Sequence, residues 1–381
     1  MTAQQGGSGK GRGLRRCEEI PPSEIFADLV KGVLGQDEAL RYVSVAVYKH
    51  TTGKLPGNIL LIGSSGTGKT TIMNNIQRLY RDVPEYAPFR AITIINANLL
   101  VDGERFEFRP DRLLTAVEQR ARAILDHPPT SAELKEVMER ATVCVDEIDK
   151  MSTVLGGKPN PIGVVLQQGL LTLMEGDVVP FRTHVIEDGE ERERFIEIDT
   201  GHMMFICGGA FEGLYDQVYY KVTSPGSGEK LRSTAVRTAD GQVRLELRFA
   251  LRDFFAIEDL FQYGLVPQFT ARFDQIVLLS DLGMDVLKEI LLHSLDSPFL
   301  RSRRFLELLG ITLEMDNLAA ALIAEQAEKH SRTGARALRS IFGKVSNPFE
   351  FDPESSGLVE KVGGGKRLIV TAELVRKALN L

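Results

Sequence analysis

Short apolar runs alternate with longer amphipathic stretches along this chain. Asn58 to Ile62, Ala91 to Ile95, Ala141 to Val145, Met203 to Cys207 and Gln275 to Leu279 each read as a buried strand. Helical spacing lies between them. Pro21-Pro22-Ser23 opens a helical stretch through about Val30, and Gly35 interrupts it. A helix from Gln36 to about His50 places Ala39, Val43 and Val47 on one face. Another starts at about Lys69. A third follows Pro110 and lines up Leu113, Val117, Ala121 and Ile124. Strands alternating with helices predict an α/β fold built on a doubly wound parallel sheet.

Two stretches depart from this rhythm. Residues 178–199 alternate with period two and predict a hairpin with a charged tip from Glu187 to Arg194. Residues 221–245 are polar, rich in Gly, Ser and Thr, and without a strong period, so they read as a mobile insertion. After Ser280 the pattern becomes helix-rich, over roughly 283–308, 316–330 and 335–345. A short strand near Leu368 and a helix from Ala372 follow. The expected division is a flexible basic tail at 1–20, a large domain at 21–280 and a smaller, mainly helical lid at 281–381.

Composition narrows the picture. The 381 residues carry 52 acids against 46 bases, with 43% hydrophobic and 26% charged residues, the balance of an ordinary folded protein of about two or three domains. The net charge of -6 conceals Lys10, Arg12, Arg15 and Arg16 in a stretch without acids, a local +4 on a body of -10. Nucleic-acid binding by that body is not expected, because such affinity rises with clustered Lys and Arg. Cys17, Cys144 and Cys207 lie far apart, so neither a zinc knuckle nor a disulfide framework is readable. Apolar runs such as Leu318 to Ala324 fall far short of the ~20 residues a membrane span needs. The basic N-terminus lacks a following apolar segment, so no secretory signal is read and a cytoplasmic location is expected.

The chemistry is concentrated at Gly63-Ser64-Ser65-Gly66-Thr67-Gly68-Lys69-Thr70. This is a P-loop pattern between a strand and a helix. Glycines allow the backbone of Ser65, Gly66, Thr67 and Gly68 to wrap phosphates with its N–H groups, and the helix N-terminus adds positive potential. Lys69 supplies a point charge to the β- and γ-phosphates of ATP, and Thr70 a hydroxyl to Mg²⁺. Val143-Cys144-Val145-Asp146-Glu147 ends a second strand in two carboxylates, which a parallel sheet brings to the same edge. There Asp146 can hold Mg²⁺, partly through water, and Glu147 can polarise the attacking water.

The chain resembles the ClpX-type unfoldases of the AAA+ superfamily over roughly residues 20–345. The resemblance rests on Val33-Leu34-Gly35-Gln36-Asp37, the P-loop and Val145-Asp146-Glu147-Ile148-Asp149-Lys150. It continues through Phe205 to Phe211, Gly264 to Phe273 and Gly334 to Arg339. It implies an AAA+ P-loop NTPase that forms a hexameric homo-oligomeric ring and pulls polypeptide through a central pore. It also implies roles for single residues. Val33 and Leu34 match the segment bordering adenine, although ordinary helix-end packing would also account for them. Arg272 matches the arginine finger that reaches a neighbouring subunit's γ-phosphate, and Arg336 the sensor-2 arginine of the lid. Cys207 and Gly208 lie near the sensor-1 position, but neither is a polar sensor.

Three departures from that family pattern stand out. The tail is too short for the family's zinc-binding N-terminal module. Residues 212–260 lack the Ile/Leu-Gly-Phe tripeptide that docks onto the peptidase ClpP, so coupling to ClpP is not expected. The first pore loop lacks Gly-aromatic-aliphatic-Gly and reads Asp102 to Arg109 instead. Phe106 and Phe108 alternate there with charges, as a grip projecting on one side of the loop or as packing residues. Thr153 to Ile162 matches the second pore loop by position. The expected function is a Mg-ATP-dependent, ring-forming ATPase that remodels or unfolds a protein partner without ClpP. The alternative is a structural component of a larger assembly in which ATP acts as an ordering switch.

Overall fold

A computed structural model describes residues 16–53, 57–228, 231–237, 242–294, 296–362 and 364–381. Helices α1 (Pro22–Leu29) and α2 (Asp37–Thr51) lead into strand β1 (Ile59–Ile62) and helix α3 (Lys69–Asp82). Strand β2 (Ile92–Asn96) follows, then a small hairpin of β3 (Val101–Asp102) and β4 (Glu107–Phe108). Helices α4 (Pro110–Leu125) and α5 (Ser131–Glu139) lead to β5 (Thr142–Asp146). A second small hairpin, β6 (Val154–Leu155) with β7 (Lys158–Pro159), precedes α6 (Pro161–Met174). Next come the long hairpin β8 (Val178–Glu187) and β9 (Glu190–Asp199), then β10 (Met204–Gly209) and α7 (Glu212–Thr223). A third hairpin, β11 (Arg232–Arg237) with β12 (Val243–Arg248), is followed by α8 (Ile257–Tyr263), α9 (Pro267–Thr270) and β13 (Gln275–Leu278).

The five predicted strands form one parallel sheet in the order β13-β1-β10-β5-β2. Both its faces are covered. Leu60, Ile62, Val143, Val145, Phe205 and Cys207 point into one apolar layer. Ile59, Leu61, Cys144, Met204 and Ile206 point into the other. The period-two alternation is therefore between two cores rather than between core and water, which is why these strands read as continuous apolar runs. Asn58 locks the entrance of the sheet: its Oδ1 accepts from Phe205 N at 2.9 Å and its Nδ2 donates to Arg272 O at 3.3 Å.

The second unit comprises α10 (Met284–His293), α11 (Pro298–Glu307), β14 (Ile311–Met315), α12 (Asn317–Glu328), α13 (Arg336–Phe351), β15 (Val359–Val362), β16 (Gly365–Val370) and α14 (Ala372–Leu379). It has its own apolar core around Leu291, Ile323, Leu338, Phe349 and Leu368. It also contains a sheet, β14-β16-β15, of which the sequence pattern showed only the strand near Leu368. The expected single helix over 283–308 is two, broken where Ser297 caps Leu300 N and Pro298 starts α11.

Three further expectations are corrected. The part of the tail that lies within the described residues belongs to the fold. Cys17 to Glu19 form a helical turn, Cys17 Sγ donates to Glu85 O at 2.9 Å and Ile20 is buried; residues 1–15 lie outside the described set. The long hairpin is as predicted over 178–199, but its tip is only Asp188-Gly189, both at positive φ, the two-residue turn that suits a twisted hairpin. The insertion at 221–245 is not a uniformly polar stretch. Its first residues finish α7, and its last begin β12, which presents Val243, Leu245 and Leu247 on one exposed face. Residues 229–230 and 238–241 lie outside the described set. Turn-rich composition masked a six-residue strand whose alternation extends past the expected boundary.

One buried titratable group ties the layers at the end of the sheet opposite the P-loop. His50, at the end of α2, is 2% exposed, packs edge-on to Phe89 and holds Arg140 O at 3.2 Å through Nε2. Burial pushes its imidazole down from 6.5 to about 4. Below pH 6.5 the unfolded chain binds a proton that the folded chain refuses, so His50 costs stability progressively as pH falls to about 4, and no further below that. Urea midpoints across pH 7 to 4 should therefore fall less steeply for His50→Phe than for the native chain. Parallel slopes would refute this.

Candidate functional site

The site is built at the C-terminal edge of the five-stranded sheet, where β1, β5 and β10 end side by side. Gly63 to Gly68 leave β1 as a loop and enter α3 at Lys69, with Gly66 and Gly68 at φ of 78° and 111°. Gly66 has a second reason to be glycine. A Cβ there would lie 2.3 Å from Thr333 O and 3.0 Å from Arg336 N of the second unit. The loop is therefore pressed directly against the backbone that opens α13. Ala335 N donates to Gly66 O at 3.1 Å, and Arg336 Nη1 donates to Ser65 Oγ at 2.6 Å.

Lys69 is 8% exposed, and its ammonium donates back to Gly63 O and Ser64 O. Burial pushes its pKa down to about 8, against the attraction of Asp146 and Asp149. Thr67 steadies the loop by donating its hydroxyl to Ser64 O at 2.8 Å. Thr70 Oγ1 lies 3.1 Å from Asp146 Oδ2. The two residues that sequence spacing assigned to one metal site are thus neighbours. Their atoms are hard oxygen donors, the kind Mg²⁺ prefers.

The carboxylates are set by an abrupt end to β5. Glu147 has φ of 60°, a left-handed conformation uncommon outside glycine, and its N–H donates to Asp146 Oδ1 at 2.9 Å. The turn sends Glu147 sideways, where Asn96 Nδ2 donates to its Oε2 at 2.6 Å. Asn96 pairs with Asp146 in the parallel register of β2 and β5. Sequence reading stopped that strand at Ile95 and missed Asn96. A polar residue immediately after an apolar strand, one strand away from the carboxylates, was the available signal. Gly208 lies on the other side; a Cβ there would be 3.8 Å from both Asp146 Oδ1 and Lys69 Cδ. Cys207 is buried in the core, and burial raises its thiol pKa.

Gln36 is a second residue that sequence reading left without a role. Its Nε2 donates to Thr67 O at 3.0 Å and Ser280 O at 2.8 Å, and its Oε1 accepts from Ser280 N at 3.0 Å. It thereby ties the P-loop to the strand-end that leads into the second unit. Just before it, Val33 is buried in the α1–α2–α3 layer, while Leu34 stays half-buried. Gly35 faces Val286 of α10 at a separation too short for any side chain.

Arg272 is not gathered at its own P-loop. It is half-exposed at the end of α9 and pairs with Glu175. The two expected gripping phenylalanines also part company. Phe106 sits in the turn of the β3–β4 hairpin at φ of 53° and is 51% exposed. Phe108 lies against Gly169 of α6, where a Cβ would meet its ring at 2.1 Å. The intervening turn breaks the strand alternation that would have put both rings on one side. In the β6–β7 hairpin, Val154 and Leu155 are 48% and 51% exposed.

A strand–loop–helix phosphate cradle beside two strand-end carboxylates, on a doubly wound parallel sheet, defines a P-loop nucleotide hydrolase. The comparisons place it more closely. The AAA domain (Cdc48 subfamily) matches residues 54–276. The ATP-dependent Clp protease ATP-binding subunit ClpX of Bacteroides thetaiotaomicron is 29% identical over 362 residues, covering 90% of this chain and 80% of that protein. Its counterpart in Bacteroides fragilis is 29% identical over 375 residues, covering 92% and 82%. The chain belongs to the AAA domain (Cdc48 subfamily) family and is a ClpX-like AAA+ ATPase, an ATP-binding ATP hydrolase. Among the described residues, no helix is long and apolar enough to cross a membrane.

The Gln36 bridge makes a stability prediction. Gln36→Ala should strand buried polar groups at about 1–3 kcal/mol each. It should lower the urea midpoint and weaken ATP binding together, because the P-loop loses its anchor. Unchanged ATP affinity in a measurably destabilised variant would separate the two roles and contradict the bridge.

Proposed function

We propose that this chain is a Mg-ATP-dependent, ring-forming ATPase that remodels or unfolds a protein client. The observation that carries the reading is the linked set Asn96–Glu147–Asp146–Thr70 beside Lys69, closed by Arg336 from the second unit. The chain divides functionally into a large ATPase domain at 21–280 and a lid at 281–381. In this reading, Ser65 to Gly68 and Lys69 hold the phosphates and Leu34 borders the base. Val33 supports that segment from the core behind it. Thr70 and Asp146 would hold Mg²⁺, which when bound offsets charge on the phosphate oxygens. Glu147, held by Asn96, accepts the proton of the attacking water. Arg336 reports the phosphates to the lid by exchanging its Ser65 contact for them.

Arg272 pairs with Glu175 rather than with its own P-loop and serves as the arginine finger of a neighbouring copy, which makes a closed ring, by family likeness a hexamer, the active species. Phe106 alone, at the tip of its hairpin, is the aromatic grip on the client. Val154 and Leu155 are exposed on the β6–β7 hairpin. These side chains favour threading over purely local remodelling. Delivery to ClpP is not part of the reading, since residues 212–260 lack the docking tripeptide. The same region does expose apolar side chains, Val243, Leu245 and Leu247 of β12.

Glu147→Gln tests the core of the reading. It should bind ATP normally while phosphate release falls by about 100-fold or more. Normal turnover would overturn the assignment. Loss of turnover with client function intact would instead favour the scaffold reading, in which ATP only orders an assembly. Phe106→Ala should leave basal ATP hydrolysis in place and abolish ATP-dependent unfolding of a tagged, stably folded protein. If unfolding persists, the grip lies elsewhere.

A further inference from the structure

The partner of Arg272 is at odds with local helix energetics. Glu175 caps the C-terminus of α6, and its N–H donates to Leu171 O and Thr172 O. A carboxylate there faces the negative end of a 14-residue helix, whose last turn carries no base. That placement is unfavourable for the helix. A residue that breaks a local rule points to a role beyond the fold. What offsets the charge is the Arg272 guanidinium, reached through Nη2 alone. A guanidinium carries five N–H donors in a planar fork, so contact at one corner leaves the other edge available.

The backbone beneath the pair is fixed on both sides. Gln167, in the middle of α6 and fully buried, donates to Met151 O at 2.6 Å and Gly264 O at 3.0 Å, and accepts from Val266 N at 2.7 Å. Asn58 holds Arg272 O. The middle of α6 and the turn carrying Arg272 are therefore each anchored, and the half-exposed Glu175–Arg272 pair joins the two segments.

We propose that Glu175 is a positioning residue for the arginine finger: its carboxylate steadies one corner of the Arg272 guanidinium so that the free edge is presented to a neighbouring subunit's γ-phosphate. The proposal rests on the finger reading of Arg272 given above. An unrestrained arginine must give up rotamer freedom each time it engages a phosphate; one held in place gives up less.

The test measures steady-state ATP turnover and ring assembly by sedimentation for Glu175→Ala, Glu175→Gln, Arg272→Ala and the double variant. Glu175→Ala should lower kcat by about three- to fivefold, the scale of a half-exposed pair, with KM for ATP and the ring unchanged. Glu175→Gln, which keeps an acceptor at Oε1, should recover most of the loss. In the Arg272→Ala background, Glu175→Ala should change nothing further, because its effect passes through the guanidinium. An additive loss in the double variant, a loss that accompanies ring dissociation, or native turnover in Glu175→Ala beside an inactive Arg272→Ala would overturn this proposal alone. Native turnover in Arg272→Ala would overturn the finger assignment, and this proposal with it.

Discussion

The contact between the Gly66 backbone and the chain at 333–336 is the constraint on which the rest of the site depends. No side chain fits at residue 66, because Thr333 O stands where a Cβ would be. The P-loop of the large unit and the opening of α13 in the second unit are thereby one packed object. Ala335 N and Arg336 Nη1 satisfy the loop from the lid side, and Gln36 satisfies it from the other. Lys69 completes the arrangement from within by holding Gly63 O and Ser64 O. A loop fixed from three directions is preorganised, and preorganisation is what gives hydrogen-bond donors their strength toward developing charge.

The same contact explains why the nucleotide site and the domain boundary coincide. Gly35 touches Val286, Gln36 holds Ser280 and Arg332 pairs with Asp216 of α7 at 2.7 Å. Each of these crosses from the large unit, or its last strand, to the lid or the segment leading into it. A change in what the P-loop holds must therefore be accommodated by Arg336 and its helix. Two apolar cores, each packed separately, thus meet through these contacts around the P-loop.

Much of this was legible in the sequence, for identifiable reasons. The five sheet strands were readable because burial on both faces makes them unbroken apolar runs. The P-loop, Asp146 and Glu147 were readable because chemistry fixes their spacing within a strand–loop–helix unit. Asn96 and Gln36 were not, because each acts across the fold on a residue dozens of positions away and follows no local pattern. The short strands β14 and β15 were hidden among helices by their length. Phe106 and Phe108 were paired by an alternation that holds only in extended chain; the positive φ at Phe106 cancels it. Likewise the apolar face of β12 was hidden by the turn-rich residues before it.

Helix α6 brings together what the sequence scatters. Its N-terminus follows the β6–β7 hairpin that exposes Val154 and Leu155, and Gly163 sits so close to Met151 O and Ser152 O that no side chain could intervene. Gln167 then ties its middle to the turn following Glu147 and to the approach to α9. Gly169 receives the Phe108 ring at the base of the hairpin that carries Phe106. Its last residue, Met174, is followed directly by Glu175, against Arg272. A 14-residue helix is a stiff rod of about 21 Å. Both exposed hairpins, the turn after the strand-end carboxylates and, through Glu175, Arg272 thus all meet one rigid element. The buried hydrogen bonds of Gln167, at about 1–3 kcal/mol each to break, hold the middle of that rod to the residues after Glu147 and to the approach to α9.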